Sequence, residues 1–225
     1  MLTTIKGSLE WTDKTEWTYP QADEHTIDWP FTHGSIDVDS ALTMMEPRLK
    51  GKRTCIQAGG AIGIWPLRLA QYFENVYTFE PEPTNYECLI QNTAGVENIT
   101  CEQAALGDST DPIHMALDSK MQGHCGAWQV RKDGTIPMIK IDDLNVQNVD
   151  LIYLDIEGYE YYALQGAAET IQRDKPVIGL EDKGLHGHFD HKLHAVKLLT
   201  RKMGYRILGR PQSTDVILIH ETSTP

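Results

Sequence analysis

Residues 54–80, TCIQAGGAIGIWPLRLAQYFENVYTFE, leave the chain few folds to choose from. A short apolar entry (Thr54, Cys55, Ile56) runs into a glycine turn, Gly59-Gly60-Ala61-Ile62-Gly63. Helical spacing follows through Leu67, Leu69, Ala70 and Phe73, with Pro66 near the helix start, where a missing N–H costs nothing. Residues 76–79 read as a second strand, closed by Glu80. Strand, glycine turn, helix, strand and acid make a βαβ nucleotide-binding unit, with Glu80 lying 21 residues past Gly59. Glycines there let the backbone approach a ligand, and a carboxylate at that distance accepts both hydroxyls of a ribose.

The spacing separates two cofactor classes. Dinucleotide sites use G-x-G-x-x-G and hold a pyrophosphate at the helix N-terminus. This turn has only Gly59, Gly60 and Gly63, and no Lys or Arg between Arg53 and Arg68. A ribose-binding acid without phosphate machinery suits S-adenosylmethionine, whose sulfonium is positive. An ordinary α/β turn with a surface glutamate accounts for the same glycines.

The remaining chain continues the alternation. Residues 37–49 read as a helix capped by Asp37 or Asp39 and ended by Gly51. Residues 83–94 read as a helix with Tyr86, Leu89 and Ile90 on one face, and 99–106 as a third strand. Residues 109–137, with a turn at Lys132-Asp133-Gly134, suggest a β-hairpin insertion. The apolar run 150–154 fits a parallel strand covered on both faces. A helix through Tyr161, Leu164, Ala168 and Ile171 follows, then a strand at 176–180, a helix at 192–203, and two closing strands at 205–208 and 215–219. The expectation is a single α/β domain, residues 37–225, built on a doubly wound, mostly parallel seven-stranded sheet. Residues 1–36, with Trp11, Trp17 and Trp29, form an N-terminal extension that packs on the domain, covers its mouth as a lid, or stays a loose arm.

A net charge of -12 argues against non-specific binding to nucleic acid or a membrane surface. Cys55, Cys88, Cys101 and Cys125 show no metal spacing, which fits reduced protein. Without an apolar leader or a membrane-length run, the expected location is cytoplasmic.

Asp155-Ile-Glu157-Gly158-Tyr-Glu160 puts three acids at the carboxyl end of the fourth strand, the edge where open α/β sheets bind ligands. Crowded carboxylates repel, so at least one needs a raised pKa or a cationic partner; helix capping accounts for one of them. The same acids could hold a hard divalent cation. Glu181-Asp182 repeats the arrangement after the next strand. His186, His188, His191 and His194 follow, and fit a solvated loop better than a metal site, none being in a zinc signature.

At this point the chain resembles the FkbM-type methyltransferases. Their acid-rich run, followed by L-x-G-A and K-P, is matched at Asp150, Asp155, Glu157, Gly158, Glu160, Leu164, Gly166, Ala167, Lys175, Pro176 and Glu181. The glycine turn is matched at Gly59, Ile62 and Gly63, the F-E-P at Phe79, Glu80 and Pro81, A-L-G-D at residues 105–108, and I-D-D-L at residues 141–144. The chain departs from the pattern at Gln57 (an acid in the family), Ala61 (Asn) and Tyr153 (Lys).

The resemblance implies S-adenosylmethionine as cofactor and methylation of a hydroxyl on a small molecule or glycan. The cofactor would meet Gln57, Gly59, Gly60, Gly63, Glu80, Pro81 and Asp155, with its adenine near Gln103, Ala104 and Ala105. Asp155, Glu157, Glu160, Glu181 or His186 would serve catalysis, with no resident metal. A nucleotide-dependent oxidoreductase and a non-catalytic binding protein of the same topology are the alternatives.

Overall fold

The computed structural model describes residues 1–23, 31, 36–117, 127–184, 194–211 and 214–222. A hairpin of β1 (Leu2–Lys6) and β2 (Glu16–Pro20) comes first, then α1 (Ile36–Met45). The βαβ unit follows as β3 (Thr54–Ala58), α2 (Ile64–Leu69) and β4 (Asn75–Phe79), and then α3 (Pro83–Thr93) and β5 (Ile99–Glu102). Short strands β6 (Ala105–Leu106), β7 (Ile113–Leu117), β8 (Trp128–Lys132) and β9 (Met138–Ile139) lead to β10 (Val149–Leu154). The chain continues through α4 (Glu160–Gln165), α5 (Ala168–Asp174), β11 (Val177–Glu181), α6 (Ala195–Lys202), β12 (Tyr205–Gly209) and β13 (Asp215–His220).

Seven strands form one sheet in the order β12-β13-β11-β10-β3-β4-β5, parallel except that β13 runs against both its neighbours. Apolar residues alternate between its faces at the strand period of two. In β10, Ile152 and Leu154 join one core and Leu151 and Tyr153 the other; in β13, Val216 and Leu218 oppose Ile217 and Ile219 in the same way. Both faces are therefore covered, as the expected doubly wound architecture requires. Strand order reverses between β3 and β10, so the crevice beyond their carboxyl ends is the sheet's switch point.

Several expected elements shift. Helix α1 already includes Ile36, ahead of both expected capping positions, and the Asp39 carboxylate accepts from Arg68 Nε at 2.7 Å. That helix gives way at Met45, ahead of Pro47, to a 3-10 turn, well before Gly51. Ile90 is 42% exposed rather than on the buried face of α3. The third strand splits at Gln103: β5 stays in the main sheet, whereas β6 pairs with β9. The inserted hairpin is present as β7 and β8, but Lys132 ends β8 and Asp133-Gly134 follow it, so this turn is not the hairpin's tip. The helix expected across 161–171 breaks at Gly166-Ala167, where a Cβ on Gly166 would lie 1.9 Å from the Gly107 carbonyl oxygen. Asp142 restarts it by accepting from the Glu169 and Thr170 N–H groups at 3.0 and 2.8 Å.

Tyr153, at the position of the family's lysine, lies across the sheet. Its ring stacks on Trp65 with centroids 4.1 Å apart and passes over Gly179, where a Cβ would meet it at 2.2 Å. Its hydroxyl donates to Asp215 Oδ2 at 2.6 Å, so one side chain spans β10, β11 and β13. Among the described residues no helix is long and apolar enough to cross a membrane.

Candidate functional site

The crevice has two walls. The first is the glycine turn. The Gly59 and Gly60 N–H groups both donate to the Phe79 carbonyl at 3.0 Å, tying the turn to the end of β4. Gly59 has φ 84°, and a Cβ there would lie 1.9 Å from the Asp155 carbonyl oxygen. The glycine is thus demanded by the crossing of two strand ends, and not by a ligand alone as the sequence suggests. Gly63 has φ 99° and stands before α2; Gly60 is closed in by Thr78 and Leu89. Ala61, where the family has Asn, takes a left-handed φ of 44°, a conformation that alanine adopts at a cost.

Glu80 completes this wall. It is 5% exposed, and its two carboxylate oxygens accept from the Ala61 N–H at 2.8 Å and the Glu82 N–H at 2.9 Å. Burial raises its pKa to about 7 against the pull of those two bonds. The Asn85 side chain is a third hydrogen-bond partner of this carboxylate, which leaves one of its roughly four lone-pair sites for a ribose hydroxyl. Gln57 is placed differently from the expectation of a cofactor contact. It is 1% exposed; its Nε2 donates to the Ala58 and Gly59 carbonyls at 3.1 and 2.9 Å, and its Oε1 accepts from Thr78. It braces the turn from beneath. Pro81, Ala104 and Ala105 are buried, whereas Gln103 is part-exposed and Asp108 exposed.

The second wall is acidic. Asp155 follows β10, and its N–H donates to the Ala58 carbonyl at 3.1 Å, which joins the two walls. Ligand atoms of Asp155, Glu157 and Glu181 lie within 4.8 Å of one another, close enough for a hard cation. Lys183 forms an ion pair with Glu181 in the same place. Glu157 has φ 54°, and burial followed by the Asp155 charge lifts its pKa to about 7. Burial, then Asp155 and Glu157, also push the Glu181 carboxyl upward, while Lys183 pulls against them.

Glu160, expected with these acids, turns away from them. Its Oε1 accepts from the Ile156 and Gly158 N–H groups, both at 3.2 Å, and so it braces the loop at the start of α4. A pocket beside the cluster is lined by Glu160, Tyr161, Glu181, Lys183 and His194, among others. His194 Nε2 stands 3.7 Å from Asp182 Oδ1, and the other oxygen of Asp182 accepts from Arg210 at 2.7 Å. His186, His188 and His191 lie outside the described residues. Asp150, at the far end of β10, binds the Arg53 guanidinium at 2.6 Å and takes no part in the crevice.

Sequence reasoning missed Lys183. It lies two residues past Glu181, in the bend just beyond the end of β11, where no strand period marks it.

The geometry has known relatives. Residues 66–207 match the family described as the methyltransferase FkbM domain, a stretch that holds Glu80 and the whole acidic wall. No curated protein matches the chain. Among solved structures it is similar to methyltransferase FkbM from Methylobacillus flagellatus KT, at 22% identity and a TM-score of 0.50, over 75% of this chain and 43% of that one. The chain therefore spans less than half the length of that relative. It is also similar to precorrin 8W decarboxylase from Methanobacterium thermoautotrophicum, at 12% identity and a TM-score of 0.50, over 83% of this chain and 90% of that one. At such identities a structural likeness shows the shared fold. The family match is independent of it and covers more than half of the sequence: the chain belongs to the FkbM methyltransferase family.

Proposed function

We propose that the chain methylates a hydroxyl of a small molecule or glycan with S-adenosylmethionine as donor. The observation that carries this reading is the meeting of the two walls at the switch point, where Asp155 hydrogen-bonds Ala58 directly below the glycine turn. A ribose-binding acid without phosphate-binding cations thus opens onto a cluster of carboxylates.

The residues present fit the cofactor. Glu80 would take the ribose hydroxyls, Gly59, Gly60 and Gly63 would give the backbone clearance, Gln57 would act through the turn, and Pro81 with residues 103–105 would border the adenine. Once bound, the cofactor supplies a methyl carbon that forms a bond to the acceptor oxygen as its bond to sulfur breaks, the electron pair leaving with the sulfur.

The chain must then orient the hydroxyl and take its proton. Glu157 is the group best poised for this, since its pKa of about 7 lies near working pH. Asp155 and Glu181 orient the acceptor, and Lys183 balances their charge. Glu160 supports the loop, and His186 is a further base candidate on the segment after β11. An acid-lined pocket in a chain of net charge -12 favours a neutral polyhydroxylated acceptor over a polyanion such as nucleic acid.

Thermal unfolding with S-adenosylmethionine, S-adenosylhomocysteine and NAD in turn tests the cofactor. A rise in midpoint with the first two only is expected; a rise with NAD alone would replace the reading with hydride transfer. Transfer of labelled methyl groups to a panel of polyols and glycans tests the acceptor class.

A further inference from the structure

The amino-terminal hairpin is fastened to the glycine turn and its two supporting helices at three separate places. First, Asn92 of α3 is 3% exposed, and its amide serves both partners at once. Its Oδ1 accepts from the Thr18 N–H at 2.8 Å, and its Nδ2 donates to the Thr18 carbonyl at 2.8 Å and to the Ile62 carbonyl at 2.9 Å. One side chain thus extends the hairpin's backbone pairing into the turn. Second, Tyr19 of β2, Ile62 of the turn and Cys88 of α3 form a small buried cluster, with Leu2 and Ile5 of β1 packed against it. Third, Gln71 Nε2 donates to the Trp11 carbonyl at 2.9 Å, and the Arg68 guanidinium lies 5.6 Å from the Trp11 ring, which fastens the hairpin loop to the end of α2.

Helices α2 and α3 are the two supports of the turn. Gly63 opens α2, and Leu89 of α3 closes over Gly60 and Gly63. A segment fastened to both helices and to Ile62 restrains the backbone that a cofactor would meet. We infer that Asn92 is a positioning residue, which couples the order of the β1–β2 hairpin to the conformation and occupancy of the glycine turn. The turn's residues between Gly59 and Gly63 include two left-handed glycines and a left-handed alanine. Such a backbone holds its shape only when its surroundings over-determine it. Asn92 supplies part of that constraint from a segment outside the main sheet. The occupancy half of this inference rests on the methyl-transfer reading; the conformational half does not.

Amide hydrogen exchange and calorimetry on the full chain test it, with S-adenosylhomocysteine as the probe. In the ligand-free chain, Asn92→Ala should speed exchange at Gly63, Leu67 and the hairpin strands, while β10 and β11 keep their protection. The same variant should bind the probe about tenfold more weakly, within the usual range of coupling between sites. Asn92→Asp keeps an acceptor for Thr18 but loses both donated bonds, and should act in the same direction. In the unmodified chain, the probe should slow exchange in β1 and β2. Should Asn92→Ala lose protection throughout, Asn92→Asp and the unmodified chain decide. Unchanged exchange at Gly63 and Leu67 in a folded variant overturns the inference, as does a chain that binds the probe without protecting its hairpin. Failure of the unmodified chain to bind the probe removes the methyl-transfer reading instead, and ligand-free exchange then decides the coupling alone.

Discussion

The two walls of the crevice are built on opposite plans. On the turn side, the polar groups are held by close neighbours: Glu80 by two N–H groups and the Asn85 side chain, Gln57 by two carbonyls and the Thr78 hydroxyl, Gly59 and Gly60 by one carbonyl. On the acidic side, three carboxylates crowd together, with Lys183 ion-paired to Glu181. The first plan fixes a shape at the cost of left-handed backbone. The second leaves the proton affinity of Glu157 and Glu181 raised and adjustable. On the methyl-transfer reading proposed above, the first plan suits a constant cofactor and the second a proton transfer on a variable acceptor.

The contrast can be broken at four points, from the largest expected effect to the smallest. Gly59→Val drives a side chain into the Asp155 carbonyl, where a Cβ alone would lie at 1.9 Å. It should destabilise the fold by roughly 4 kcal/mol or more, and denaturant unfolding measures this. Full stability would mean that the walls are not locked together. Glu157→Gln should slow methyl transfer by ~10²–10⁴ with product affinity unchanged, as expected for loss of a base. Turnover at the original rate would pass the role to Asp155, Glu181 or the histidine segment.

Glu80→Ala acts on the other wall. Calorimetry should show S-adenosylhomocysteine binding weakened by about 1.5–3 kcal/mol in a folded variant, the worth of charge-assisted bonds. Equal affinity would make Glu80 a turn brace only.

Glu160→Gln sharpens the distinction between bracing acids and working acids. Burial raises the Glu160 pKa from 4.5 to about 7, so the folded chain holds this proton more tightly than the unfolded one. Its stabilising share is complete below about pH 4.5 and is lost as pH rises through about 7. The variant should therefore match the original chain near pH 5 and exceed it by on the order of 1 kcal/mol near pH 8. An unchanged slope of stability against pH would return Glu160 to the exposed acids.

Much of this was legible in the sequence where the signal is periodic. The alternation of strands and helices and the closing antiparallel pair follow from local apolar patterning. What escaped is set by contacts distant in sequence. Gly59 announces a glycine requirement, but its cause is a carbonyl 96 residues further on, at Asp155. Asp155, Glu157 and Glu160 look equivalent on paper; whether an acid faces the crevice or the loop's own N–H groups depends on the turn at Gly158, whose φ is 98°. Gln57 reads as a weakened family acid, yet its amide donates where a carboxylate could not. Asn92 is invisible because one polar residue in a helix gives no hint of a partner 74 positions away.

The reach of Tyr153 over Gly179 to Asp215 bears on the order in which the sheet is completed. Tyr153 is central and buried, and its hydroxyl partner lies 62 residues later, on the strand inserted between β11 and β12. Burial holds its pKa well above the usual value, so the phenol stays a donor and must find an acceptor. β13 is also the last strand of the chain, so this phenol can meet Asp215 only when the whole sequence of the sheet is present. A sheet without β13 would leave this central phenol short of its acceptor, so the last strand completes the polar bonding of the sheet's middle as well as its edge.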